Sequence, residues 1–262
     1  MCTIVVVHRV HPTIPVIVAA NRDEFYAREA APPELRGHTA RGARVVAGRD
    51  LRGGGTWLGA TGSGVFAAIT NQRMWEMPPP RARSRGAIVG EALEAGSPAA
   101  IDRYLEGLEP GRTLPFNLIY GDAERLCVAY GRDDGLERLE LGHGVHVLAN
   151  DRIGSPHMPK AERAQAQVAP IAREPWEDLR PALQSLLGDD RVPDVSVPEP
   201  PAHSRFDGEL VRRLQAICIR TPDYGTVSAT LLALGEDETL EHRYADGPPG
   251  DVPFDDVTRL YR

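Results

Sequence analysis

Residues 1–26, MCTIVVVHRVHPTIPVIVAANRDEFY, decide how the rest of the chain is read. Two short apolar runs rich in β-branched residues, Thr3–His8 and Pro15–Asn21, flank a proline-containing turn and predict an antiparallel pair of strands. The second run ends in four consecutive polar residues, Asn21-Arg22-Asp23-Glu24. The two-residue period of a strand sends Asn21 and Asp23 to one face and Arg22 and Glu24 to the other. Such a cluster reads either as a salt-bridged strand end or as an arginine and a carboxylate serving a nucleophile. The candidate nucleophile is Cys2. A small second residue favours removal of Met1, which would place a free α-amine and a thiol on one residue. Their reference pKa values are about 7.7–8.0 and about 8.5, so a neutral amine is available near neutral pH to accept the thiol proton. The plainer reading is that Cys2 only begins a buried strand.

Outward from this stretch, residues 28–44 are polar and rich in Arg and Pro and predict a long excursion. Strands are predicted at Thr56–Ala60 and Val65–Thr70, then helices at Arg85–Glu94 and Pro98–Leu108, where apolar residues recur at helical spacing. A second block follows: strands at Phe116–Tyr120, Leu126–Tyr130, Leu136–Leu141 and Val145–Ala149, then helices at Lys160–Ala172 and Trp176–Leu187. Residues 189–207 carry Pro193, Pro198, Pro200 and Pro201 and predict a loop. Closing strands are predicted at Ala216–Thr221, Thr226–Leu234 and Thr239–Tyr244. Strands, two helices, strands, two helices, strands is not the strict alternation of a doubly wound sheet. It predicts an α+β fold, a four-layer αββα sandwich of two antiparallel sheets with outer helices. No composition shift marks a linker, so residues 1–262 read as one domain.

Composition narrows the function classes. Hydrophobic residues make up 42% and charged residues 26%, ordinary globular usage that excludes wholesale disorder. The net charge of −7 argues against a surface that coats nucleic acid. The longest apolar runs, Ile4–Val7 and Val16–Ala20, are too short to span a bilayer, and no basic segment leads into a long apolar one. The expected location is cytoplasmic. Lys160 is the only lysine against 29 arginines, which reads as genomic composition and suggests a bacterial source. Three cysteines do not make a disulfide framework, and Cys127 and Cys218 sit in apolar runs that predict core packing.

Several ordered motifs carry a family resemblance: Met1-Cys2-Thr3-Ile4, Ala19–Tyr26 (AANRDEFY), Gly53–Gly59 (GGGTWLG), Ala68-Ile69-Thr70-Asn71, Leu148-Ala149-Asn150 and Thr221–Thr226 (TPDYGT). Together they resemble the NRDE family, which includes the eukaryotic transport and Golgi organisation protein. The resemblance spans nearly the whole chain and implies an N-terminal nucleophile (Ntn) hydrolase fold. More distantly the chain is similar to bile-salt hydrolases and penicillin V acylases, which also begin Met-Cys-Thr. That likeness implies Cys2 as nucleophile with its own α-amine as base, Asp23 holding the amine and Arg22 near the thiol. It further implies Asn71 in the oxyanion hole, where neutral N–H donors are needed, and Asn150 near the reacting carbonyl. Asn21 and Trp75 are the expected substrate contacts. The implied substrate is a small amide or ester, with no cofactor and no metal. The alternative is a non-catalytic carrier of haem or of lipid and acyl groups, the roles to which NRDE proteins are linked. Two departures stand out: the acylases separate their Arg and Asp by two residues, and NRDE proteins tend to carry Arg where this chain has Val227. Arg220 is the candidate substitute.

Other features read as structural. Gly53-Gly54-Gly55 lacks the Gly-Lys-Ser/Thr of a phosphate loop and predicts close backbone approach instead. His143 and His146 are predicted on opposite faces of a strand, which argues against a shared metal. His8 and His11 flank the proline turn and are expected to be solvated, as is the basic run Arg81–Arg85. The loops 72–84 and 189–207 are expected to border the site.

Overall fold

The computed structural model describes residues 2–75, 84–194, 197, 199–202, 204 and 206–262. The chain runs through β1 (Thr3–His8), β2 (Val16–Phe25), β3 (Ala30–His38), β4 (Arg44–Asp50), β5 (Leu58–Thr61) and β6 (Phe66–Asn71). Helices α1 (Arg85–Ala95) and α2 (Pro98–Glu106) precede β7 (Phe116–Gly121), β8 (Leu126–Arg132), β9 (Gly135–Leu141) and β10 (Gly144–Leu148). Then come α3 (Pro159–Val168), α4 (Trp176–Leu187), α5 (Gly208–Arg213), β11 (Tyr224–Leu234), β12 (Thr239–Ala245), β13 (Asp255–Asp256) and a 3-10 turn at Thr258–Tyr261.

The strands form two antiparallel sheets, ordered β10-β1-β2-β11-β12-β13 and β3-β4-β5-β6-β7-β8-β9. Alternation along the central strands sorts the apolar residues into layers. Ile4, Val6, Val16, Val18 and Ala20 pack between the sheets against Phe66, Ile119 and Val128. Val5, Val7, Ile17 and Ala19 face outward onto Leu179, Leu183 and Leu187 of α4 and Ala164 and Val168 of α3. On the far side α1 and α2 cover the second sheet through Ile88, Leu93, Ile101 and Leu105. The result is the expected αββα sandwich.

Helices α1 and α2 are punctuated as the sequence suggests. The Ser84 hydroxyl accepts from Gly86 N, Gly96 closes α1 in the left-handed region at φ 74°, and Ser97 with Pro98 restarts the chain as α2. Gly55 lies so close to α1 that a Cβ there would overlap the backbone of Gly86. The glycine run therefore serves packing against α1, with Thr56 N donating to Gly86 O at 3.1 Å.

Several expectations are corrected. Residues 28–44 are no free excursion: they hold β3, an edge strand, and lead into β4. Pro32 and Pro33 disguise it, and the register shifts between Ala31 and Glu34, where an edge tolerates missing N–H donors. Residues 216–219 of the predicted strand Ala216–Thr221 are buried, but the segment pairs only through an isolated bridge at Arg220. His8 and His11 are buried, not solvated. The His8 ring stands edge-on to His143 at 5.6 Å, and His11 Nδ1 accepts from Ile14 N at 3.1 Å, closing the proline turn. Of the basic run, residues 81–83 lie outside the described residues, and Arg85 is partly buried. Cys127 and Cys218 are buried in the core. Among the described residues no helix is long and apolar enough to cross a membrane.

Candidate functional site

Cys2 stands one residue before β1, and the pairing of Thr3 with Asn21 brings it alongside the polar end of β2. That end is buried through Asp23. Its neighbour β11 carries one extra residue at Val227: Thr226 pairs with Asp23, but Ser228 pairs with Arg22. Such a bulge shifts the facing of a strand by one residue. It lets β11 meet Asp23 on the helix side and Arg22 on the inter-sheet side. The adjacency of Arg22 and Asp23 is thereby accommodated on two faces rather than one.

On the helix side, Thr226 Oγ1 donates to Asp23 Oδ1 at 2.7 Å, and Lys160 Nζ lies 3.8 Å from Asp23 Oδ2. The side chains of Asp23 and Lys160 are both 0% exposed. On the inter-sheet side, the Arg22 guanidinium lies over the Trp57 ring, 4.4 Å from its centroid. The Cys2 thiol reaches the backbone between them, with Sγ 4.0 Å from Asp23 O, the outer limit of an S–H···O contact. Tyr224 donates its hydroxyl to the same carbonyl at 2.9 Å.

Burial dominates the electrostatics. It pushes the Cys2 thiol up, reinforced by the Asp23 charge and opposed by Arg22. It also pushes the Asp23 carboxyl up, against the pull of Lys160 and the Thr226 hydroxyl. Lys160 moves down for the same reason, with Asp23 opposing.

A cavity of about 460 Å³ opens beside this cluster. Phe25, Met74, Trp75, Phe206, Leu214 and Tyr224 give it a largely apolar wall, and Trp75 meets Phe206 edge to face at 6.4 Å. Polar groups in the lining include Asn71, Asn150, Glu24, Arg73, Arg85 and Gln215. Burial lowers Arg85 to about 10. Cys2 is not among the described lining residues. The cavity reaches its surroundings through Glu24 and through Tyr224, whose hydroxyl shares the Asp23 carbonyl with the thiol.

Asn71, at the end of β6, and buried Asn150 are joined directly: Asn150 Nδ2 donates to Asn71 O at 2.7 Å. The Asn150 carbonyl accepts from Arg73 N at 2.9 Å. Beneath them Thr70 Oγ1 donates to Ala149 O at 2.5 Å and accepts from Asn117 Nδ2 at 3.0 Å. The structure thus brings Cys2, Arg22 and Asp23 into one cluster, and Asn71, Asn150 and Trp75 into the wall of the neighbouring cavity. Asn21 it does not bring there. Asn21 faces the helices and spends its amide hydrogens on Leu187 O and Ile217 O, at 2.8 and 2.9 Å.

The family model for Transport and Golgi organisation 2 matches residues 1–244. The chain belongs to this family. The Transport and Golgi organization protein 2 homologue of Bos taurus is 29% identical over 238 residues, covering 85% of this chain and 83% of its own. The Homo sapiens homologue is 28% identical over 241 residues with the same coverage. These relatives are mammalian and lend no support to a bacterial source. Among solved structures, a mutant conjugated bile acid hydrolase from Clostridium perfringens superposes with a TM-score of 0.54 at 12% identity, covering 100% of this chain and 94% of that one. A second variant of that enzyme gives 0.54 at 11% identity with the same coverage. The fold is that of the Ntn-hydrolase acylases.

In this chain the two departures acquire physical content. Val227 is the bulge residue of β11. Arg220 is no replacement for an arginine there: it is bound to Asp251 by two hydrogen bonds of 2.7 and 2.9 Å on the surface. Sequence reasoning missed Lys160, Thr226 and Arg85. Lys160 had a signal: it shares the i, i+4, i+8 stripe of α3 with buried Ala164 and Val168. Among the described residues no group of three or more His, Cys, Asp or Glu side chains is arranged to hold a metal ion.

Proposed function

We propose that this protein is an N-terminal-cysteine amidohydrolase of the acylase type, cleaving a small amide or ester with an apolar acyl group. The observation that carries the reading is the thiol of Cys2 against the Arg22–Asp23 end of β2, whose next residue, Glu24, lines a largely apolar cavity. With Met1 removed, the Cys2 α-amine accepts the thiol proton and sulfur attacks the substrate carbonyl carbon. The oxyanion needs preorganised N–H donors, and the Asn150 amide has a second N–H beyond the one given to Asn71 O. The ammonium then gives its proton to the leaving amine or alkoxide as the carbonyl re-forms, leaving a thioester that water hydrolyses. No step calls on a cofactor.

A second reading is favoured by a specific observation: burial raises the Cys2 thiol, which disfavours a standing thiolate. Under it the cavity carries an apolar ligand, a lipid or acyl group or haem, without turnover. Intact-mass spectrometry after treatment with an acyl p-nitrophenyl ester separates the two. Cys127 and Cys218 are buried, so the enzyme reading expects one acyl adduct, on a chain beginning at Cys2, absent in Cys2→Ala. Full retention of Met1, or equal labelling of Cys2→Ala, would sink it.

A further inference from the structure

The single lysine of this chain lies on the buried side of the Cys2 cluster. It belongs to the first turn of α3, where the positive end of the helix dipole disfavours a cation. No apolar contact calls for an ammonium at full burial, where an unpaired charge costs several kcal/mol. Facing it is Asp23, equally buried, whose other oxygen accepts from Thr226. At 3.8 Å the two charges attract without a direct hydrogen bond.

We propose that Lys160 is a positioning residue of the Cys2 site, holding Asp23 ionised so that its carboxylate can anchor the group at the Cys2 amino end. The role rests on the acylase reading above; the charge state of the pair does not. Asp23 alone would raise the pKa of a neighbouring α-amine and keep it protonated. The Lys160 charge offsets that effect, so the amine is oriented by the carboxylate yet gives up its proton near neutral pH. The groups facing the pair are Cys2 at the start of β1, Glu24 on β2, Thr226 on β11, Arg73 in the loop after β6, and Arg163 on α3 itself. Arg163 is partnered by Asp189 at 3.5 Å.

Because there is one lysine, protein grown on [ε-¹³C]lysine gives one side-chain resonance, and its titration reads Lys160 directly. The proposal expects an ammonium that titrates at least one pH unit lower in Asp23→Asn than in the native chain. An unchanged midpoint would mean that Asp23 is neutral in the native chain, and the proposal falls whether or not the protein is an enzyme. The second arm is acylation of Cys2 by the p-nitrophenyl ester in Lys160→Met, Asp23→Asn and the double variant. Lys160→Met, close in length and fully buried, and Asp23→Asn should each slow labelling by about the same factor, on the order of tenfold. The double variant should be no slower than either, and Lys160→Arg should restore most of the rate. Independent, multiplicative losses would make Lys160 merely structural and overturn the proposal. If Lys160→Met fails to fold, the resonance of the native chain and of Asp23→Asn still decides.

Discussion

Thr226 reaches Asp23 at 2.7 Å because Val227 is an extra residue in β11. Without it, Thr226 and Ser228 would share one face, and the strand could not set Thr226 beside Asp23 and Ser228 opposite Arg22 at once. The Thr226 hydroxyl also accepts from Ile219 N at 2.9 Å, so it joins a carboxylate to an otherwise irregular segment. Thr226→Val leaves both groups buried and short of a partner. A loss of about 1.5–3 kcal/mol is expected in urea unfolding, with Thr226→Ser retaining most of the stability.

The charges flanking Cys2 act in opposite directions, which fixes the sign of two substitutions. Arg22 favours a thiolate and disfavours an ammonium, so Arg22→Gln should move the acid limb of Cys2 acylation to higher pH. Asp23 does the reverse, so Asp23→Asn should move the limb down while lowering the plateau. Rates of ester labelling against pH in the three proteins check both. Superimposable profiles would make Cys2 an ordinary thiol.

Trp75 supplies a broad apolar wall and packs on Phe206. Trp75→Ala should weaken acyl esters with long apolar chains by about tenfold in KM and leave short acetyl esters nearly unaffected. The comparison of KM across chain length, at fixed leaving group, measures it. Equal losses for both esters would place the acyl chain elsewhere.

Acid stability has a specific contributor outside the site. Buried His242, whose Nδ1 meets Tyr261 OH at 2.9 Å, is lowered by burial from 6.5 to about 3. A histidine depressed in the folded state stays neutral there while the unfolded chain takes a proton. Its stabilising effect is therefore full above about pH 6.5 and lost progressively as pH falls toward 3. The difference amounts to about 3 kcal/mol at pH 4. Urea midpoints should drop across this window, and the drop should be shallower in His242→Gln.

The elements legible in the sequence are those whose periodicity is unbroken. Thr3–His8 and Trp176–Leu187 match their predicted limits because one holds an unbroken β-branched run, Thr3–Val7, and the other carries its leucines at helical spacing. β3 was hidden by its prolines, which only an edge strand admits. Ala216–Thr221 has strand composition, yet its backbone serves side chains: Ile217 O accepts from Asn21 and Ile219 N donates to Thr226. The meeting of Cys2 with Arg22 and Asp23 was legible from the motif resemblance, although strand alternation alone set the two charges on opposite faces. For Lys160 the helical stripe marks burial but not purpose, because the carboxylate it faces is 137 positions away, and its rarity reads as composition.

The contact of Gly55 with Gly86 sets a clearance one hydrogen atom wide between a loop and the start of α1. Arg85, the residue before Gly86, enters the cavity wall from that point. A methyl group at position 55 cannot be absorbed by a rotamer change, since what it meets is main chain. It would lift the helix start and carry the Arg85 guanidinium with it. The gauge of the cavity is thus held from outside by two residues that never touch its contents, and transplanting α1 from a relative without its matching loop would change what fits inside.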